Sequence, residues 1–189
     1  MSKMCSRTNV DSQLALVYSR EEIEDAVRRV ADEVSRDFAG QDVLLVVVLK
    51  GAFIFAADLV RKLRLPIEID FVKLSSYKGS ETTGMVEITK DIETTITGRN
   101  VLVVEDIVDT GITLSFLLRH LAVSRPKSLK VCTLIDKRER RQIAVSVDYA
   151  GIVCDRGFLI GYGLDLNECC RELEAIHEVG EFTFLRRTE

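Results

Sequence analysis

The sequence predicts an α/β fold, with one open, mostly parallel, twisted sheet flanked by helices. Three observations carry that expectation. The run DVLLVVVLKG at 42–51 is apolar at nearly every position yet only as long as a strand, which suits a strand covered on both faces of a parallel sheet. The segments after it read as helix and then strand, the unit that joins parallel neighbours. Strand and helix signals go on alternating to about residue 136.

Each element has its own signature. Ser19 stands three residues before Glu22, and Ile23, Val27, Val30, Ala31 and Val34 then recur at helical spacing, so a capped amphipathic helix should run to near Gly40. FIFAADLVRKLR reads as a helix stopped by Pro66. PIEIDFVKLS sets Ile67, Ile69 and Phe71 against Glu68 and Asp70, a period of two that marks a strand. SSYKGSETTGMV, 75–86, loses apolar periodicity and is expected to be a mobile loop. Strands follow at MVEIT, NVLVVED and SLKVCTLID, with ITLSFLLRHLAV as a helix between the last two. Beyond residue 140, VDYAGIVC, GFLIGYGLD and AIHEVGEF suggest sheet edges and site loops more than a second domain, so 1–189 is expected to be one domain.

Composition narrows the function classes. The longest apolar run, LLVVVL, is too short to span a bilayer, and the polar start MSKMCSRTNVDSQ lacks the apolar stretch of a signal peptide. No membrane association and a cytoplasmic setting are expected. Five cysteines without a CxxC pair argue against a disulfide framework, and two distant histidines against a zinc site. A net charge of −4 gives no footprint for nucleic acid, and RKLR and DKRERR are expected to be solvated faces.

VLVVEDIVDTGITL, 101–114, carries the chemistry. Ligands of open parallel sheets gather at the carboxyl ends of strands, where 105–113 should lie. Asp109, Thr110, Gly111, Ile112 and Thr113 would form a tight turn into a helix start, whose N–H groups favour a phosphate. Glu105 and Asp106, just upstream, repel a bare anion and make sense under ribose hydroxyls with a magnesium ion. A single carboxylate there would more simply cap the next helix.

VVEDIVDTGIT closely resembles the diphosphate-ribose motif of the type I phosphoribosyltransferases. VLKGAFIFAADL, SSY, DKR and GFLIGYGLDLNE with Arg171 follow in the order of the hypoxanthine-guanine branch, from about residue 14 to 185. The resemblance implies the type I phosphoribosyltransferase fold, with a small hood built from the N-terminal segment and about 155–189. It implies transfer of ribose 5-phosphate from phosphoribosyl pyrophosphate to hypoxanthine or guanine, giving IMP or GMP and pyrophosphate, with Mg2+ as cofactor and a homodimer or homotetramer as the assembly.

By the same resemblance, Glu105 and Asp106 hold the ribose hydroxyls and, with Asp165, the metal, while 109–113 cradle the 5-phosphate. Asp109 lies beside the purine imidazole, where it accepts or shares a proton. Lys50 and Gly51 form the pyrophosphate loop, with a cis peptide between them; Arg171 clamps the pyrophosphate, and Ser76 and Tyr77 cover it from the 75–86 loop. Lys137 donates to the 6-oxo group, which disfavours adenine. Phe158 stacks on the purine, and Leu159 and Asp165 read its edge. Ala52 stands where relatives often have glycine or serine, but would contribute only its backbone. Two rivals remain at this point, a sensor that binds without reacting and a relative that also accepts xanthine.

Overall fold

The structure is a computed structural model and describes residues 14–77, 85–155 and 157–180. In chain order the elements are β1 (Leu14–Tyr18), α1 (Arg20–Asp37), β2 (Val43–Leu49), α2 (Phe53–Lys62), β3 (Ile67–Tyr77), β4 (Met85–Lys90), β5 (Asn100–Val108), α3 (Ile112–Val123), β6 (Ser128–Asp136), β7 (Tyr149–Val153), β8 (Phe158–Ile160) and β9 (Ile176–Val179). Six strands form one sheet in the order β4-β3-β2-β5-β6-β7, parallel throughout except where β4 runs against β3.

The expected cap of α1 is present in full. Ser19 Oγ accepts from the Glu22 N–H at 3.3 Å, and Glu22 Oε2 accepts from the Ser19 N–H at 2.8 Å. The predicted stripe Ile23, Val27, Val30, Ala31 and Val34 is buried. It packs with α2 against Val43, Leu45, Val47, Leu102 and Val104 of the sheet. The alternate residues Leu44, Val46, Val101 and Val103 face a second core with Leu114, Leu117 and Leu121 of α3. Both faces of β2 and β5 are therefore covered, which is why their sequences are apolar without alternation.

This layering locates the site. After β2 the chain crosses by α2 to β3 on one side; after β5 it crosses by α3 to β6 on the other. Adjacent strands whose continuations part in this way leave a crevice beyond their carboxyl ends.

Three expectations change. The 75–86 segment is not all loop, since β3 and β4 continue as a ladder from Leu74↔Ile88 to Tyr77↔Met85. β4, the sheet's edge strand, coincides with the strand expected at MVEIT; what was not expected is that β3 runs on through Tyr77 to meet it. Residues 78–84, and the side chains of Ser76 and Tyr77, lie outside the described residues. Second, β1 was not anticipated; it pairs with β9, which pairs with β8, in a separate three-stranded antiparallel sheet. That sheet lies within the segments expected to form the hood, of which 1–13, Arg156 and 181–189 are outside the described residues. Third, DKRERR is not wholly a solvated face, because the Arg141 side chain is only 16% exposed. Among the described residues no helix is long and apolar enough to cross a membrane.

Asp70 pins the edge of the sheet. Its buried carboxylate accepts from the N–H groups of Phe71 at 2.7 Å, Glu93 at 2.7 Å and Thr94 at 2.8 Å. Burial alone would raise its pKa, but these donors outweigh it and hold the carboxyl below the usual range. A depressed carboxyl contributes stability above its unfolded pKa and loses it as pH falls through the folded value. Asp70→Asn should therefore cost about 1–3 kcal/mol in urea unfolding at neutral pH, with the gap to the parent protein closing in acid.

Candidate active site

The expected residues fall at the ends of the central strands. Glu105 and Asp106 lie within β5, as expected from NVLVVED, and the strand runs on to Val108. Glu105 is 7% exposed. Burial first, and then the charge of Asp106, push its pKa well above the ordinary carboxylate range. Asp106 is raised as well, again chiefly by burial, although backbone N–H groups, Glu105 and the Arg171 guanidinium offset part of that. Two neighbouring carboxylates withdrawn from water favour whatever brings positive charge or hydroxyl donors to them.

Asp109, Thr110 and Gly111 make the turn, and Ile112 and Thr113 open α3. Gly111 is the N-cap, with φ of 79°, a left-handed conformation that glycine adopts without steric cost. The cap makes no side-chain hydrogen bond. Ile112 N–H makes a long bond to Thr110 Oγ1 at 3.4 Å, and the N-cap itself supplies no acceptor, so the first turn of α3 with the helix dipole suits an anion. A small cavity of about 120 Å3 is lined there by Glu105, Asp109, Thr110, Gly111, Thr113 and Leu114, among others. One carboxylate oxygen of Asp109, Oδ1, is buried without a hydrogen-bond partner, while Oδ2 lies 3.7 Å from Arg140. An unpaired buried acceptor is costly, so it marks a position that a ligand's donor would satisfy.

Lys50 and Gly51 follow β2 directly. The cis peptide joins Leu49 to Lys50, one bond earlier than the resemblance implied. A Cβ on Gly51 would stand 1.8 Å from Asp106 Oδ2, so this glycine is dictated by the approach of a β5 carboxylate. The Ala52 N–H, expected among the open donors, bonds to Val48 O at 3.3 Å.

Lys50 is tied across the crevice. Its Nζ lies 2.9 Å from Glu168 Oε2, and that same oxygen is 3.2 Å from Arg171 Nη2. Arg171 also pairs with Asp165 Oδ1 at 2.9 Å and donates to Gly163 O at 2.8 Å. The carboxylate of Asp165 thus faces Arg171, and among the described residues no three metal-ligating side chains converge. Lys137 is 5% exposed; its Nζ donates to Gly157 O at 2.8 Å and its N–H to Val108 O at 2.9 Å. Phe158, the first residue of β8, is 55% exposed, whereas Leu159 is buried.

Two participants were not foreseen. Arg141 donates to Asp109 O at 2.9 Å, Val108 O at 3.1 Å, Lys137 O at 2.8 Å and Asp136 Oδ1 at 2.5 Å, binding the ends of β5 and β6 together. Sequence spacing carries no trace of that role, because its partners are mostly carbonyls. Glu168 stood inside GFLIGYGLDLNE without a role, and only the fold brings it between Lys50 and Arg171.

A larger cavity, about 520 Å3, lies between α1, α2 and the 162–174 segment. Charged groups along it pair with one another, including Arg20–Glu174 and Lys62–Glu24, and Tyr162 Oη donates to Asp58. Volume therefore does not mark the chemistry here; the strand ends do.

The paired acids yield a prediction. An acid whose folded pKa is raised contributes most stability below its unfolded pKa, near about 4, and loses it as pH rises through the folded value. In EDTA, unfolding free energy should fall as pH climbs above about 4 on account of Glu105 and Asp106. Glu105→Gln should flatten that fall in urea titrations at several pH values.

Comparison with known proteins agrees with this geometry. The family profile "Phosphoribosyl transferase domain" matches residues 17–167. The hypoxanthine-guanine phosphoribosyltransferase of Mycobacterium avium is 43% identical over 169 residues, covering 86% of this chain and 83% of the relative. The hypoxanthine-guanine-xanthine phosphoribosyltransferase of Tritrichomonas foetus is 39% identical, covering 88% and 92%. Among solved structures, a hypoxanthine-guanine phosphoribosyltransferase of Bacillus anthracis superposes with a TM-score of 0.82 at 44% identity, over 88% of this chain and 98% of that one. A Staphylococcus aureus hypoxanthine phosphoribosyltransferase gives 0.86 at 33% identity, over 94% and 97%. The crevice between β2 and β5, the open cradle at α3 and these matches together establish that the chain belongs to the phosphoribosyltransferase family.

Proposed function

We propose that the protein is a purine-salvage enzyme that converts hypoxanthine or guanine and phosphoribosyl pyrophosphate to IMP or GMP and pyrophosphate. The observation that carries this reading is the acidic end of β5 running into an anion cradle beside an unpaired Asp109 oxygen. The names of the relatives supply the substrate class. We read 1–189 as one catalytic domain with the three-stranded sheet as part of a hood.

In the reaction the bond from the sugar's anomeric carbon to the diphosphate oxygen breaks, the purine ring nitrogen takes its place, and that nitrogen gives up its proton. Residues Asp109 to Thr113 bind the 5-phosphate through the first turn of α3. Asp109 Oδ1 is the acceptor for the purine's proton. Lys50, Gly51 and Arg171 receive the diphosphate, Arg171 through a planar fork suited to phosphate oxygens. Ser76 and Tyr77 would cover it from the end of β3, excluding water from the reactive sugar.

Glu105 and Asp106 suit Mg2+, a hard cation commonly held by one or two carboxylates with substrate phosphates and water completing its shell; Asp165 is the further candidate ligand. When bound, Mg2+ supplies charge neutralisation for the departing diphosphate. Lys137 donates to the 6-oxo group, Phe158 offers an exposed face for stacking, and the 159–165 backbone reads the rest of the ring. Exposed Ile69 and Phe71, on one face of β3, favour a homodimer or homotetramer. Cys132, Cys154, Cys169 and Cys170, all without disulfides, suit a cytoplasmic setting.

Two measurements test this. With phosphoribosyl pyrophosphate and Mg2+, hypoxanthine and guanine should turn over and adenine should not, and Asp109→Asn should lower kcat by about 10²–10⁴-fold; no turnover with any base, with phosphoribosyl pyrophosphate still bound, would instead identify a sensor. The xanthine rate places the protein within its branch. Lys137→Ala should raise the KM for the purine far more than that for phosphoribosyl pyrophosphate, and equal rises would remove Lys137 from base recognition.

A further inference from the structure

Cys169 and Cys170 are adjacent, half-buried and reduced, in the turn that leads directly into Arg171. The other described cysteines, Cys132 and Cys154, are buried in the core, beyond easy reach of a solute. The turn is sharply folded. Leu166 and Cys169 exchange backbone hydrogen bonds at 3.1 Å, and Asn167, Glu168 and Cys170 take φ of 52°, 66° and 70°. Its products are the placements of Glu168 and Arg171, which meet Lys50 and Asp165 across the crevice.

Neighbouring residues across a trans peptide have Cα atoms about 3.8 Å apart. Ordinary disulfides span about 4.4–6.8 Å. A bond between adjacent cysteines must therefore close at a Cα separation shorter than ordinary disulfides take, which strains the small ring it forms, and Cys170 starts from a left-handed conformation in which a side chain has little room to adjust. Ring closure cannot leave the turn, or the Arg171 that follows it, where they are. A strained bond is also readily reduced, which belongs to a reversible modification more than to a structural staple.

We propose that Cys169 and Cys170 are a redox-modification site, a vicinal dithiol that a peroxide closes to a disulfide, drawing Arg171 and Glu168 away from Lys50 and weakening diphosphate binding. In the first step one thiolate attacks a peroxide oxygen, the O–O bond breaks, and a sulfenic acid and water form from hydrogen peroxide. The second thiol attacks that sulfur and expels another water. Two thiols and one peroxide thus give one disulfide and two waters, and an external dithiol reverses the change. The effect on diphosphate rests on the function proposed above; the chemistry of the pair does not.

The test combines peptide mass with binding. Hydrogen peroxide should remove two hydrogens, about 2 Da, from the peptide holding residues 169 and 170, and dithiothreitol should restore them. Calorimetry with Mg2+ and pyrophosphate should show affinity about tenfold weaker after oxidation, while Cys169→Ser and Cys170→Ser keep the reduced affinity and no longer respond. Oxygen adducts in place of the disulfide, unchanged binding after closure, or an equal response in both serine variants would overturn the proposal. Failure of the reduced protein to bind pyrophosphate would overturn the function proposed above and the consequence assigned here, whereas the peptide mass still decides whether the pair closes.

Discussion

The site depends on how closely β2 and β5 end. The Asp106 carboxylate lies so near the backbone of residue 51 that any side chain there would have to displace it. That approach is possible because the two strands are parallel neighbours whose following helices depart to opposite faces of the sheet. It places a backbone loop suited to diphosphate beside a pair of carboxylates suited to sugar hydroxyls and a cation. Burial raises the pKa of both acids, and the charge of Asp106 raises that of Glu105 further.

Around that pair, stability and function pull in different directions. Buried like charges are a burden that a designer of stability would remove. The molecule offsets them with rigid surroundings. Arg141 ties the ends of β5 and β6 through carbonyls and Asp136, and Lys137 N–H bonds to Val108 O. The carboxylate of Asp70 fixes the 93–94 segment against β3.

Much of this was legible in sequence, for physical reasons that can be stated. The α1 cap and stripe are local patterns, and the structure reproduces them down to the reciprocal bonds of Ser19 and Glu22. α3 and β6 fall on the segments expected from sequence, ITLSFLLRHLAV and SLKVCTLID. The tight turn at DTGIT was legible because a glycine among short polar residues marks the entry to a helix, and Gly111 caps α3 with φ of 79°. β1, Arg141 and Glu168 were not. β1 is a short strand whose partner β9 lies at the other end of the chain, a guanidinium bonded to carbonyls has no sequence partner, and Glu168 meets Lys50 from 118 residues away. The contacts of Asp165, with the Arg171 guanidinium and the Glu168 N–H, are likewise set by the folding of the 165–171 turn.

Lys137, the residue proposed to read the base, also makes a structural bond. Its ammonium already has an acceptor, the carbonyl of Gly157 just before β8. That bond uses one of the three N–H donors of the ammonium, so on the proposed reading a ring oxygen would bond to a remaining donor beside it. A ligand atom that can only donate would instead set donor against donor. The same lysine thereby straps the end of β6 to the residue just before β8 while keeping donors to spare.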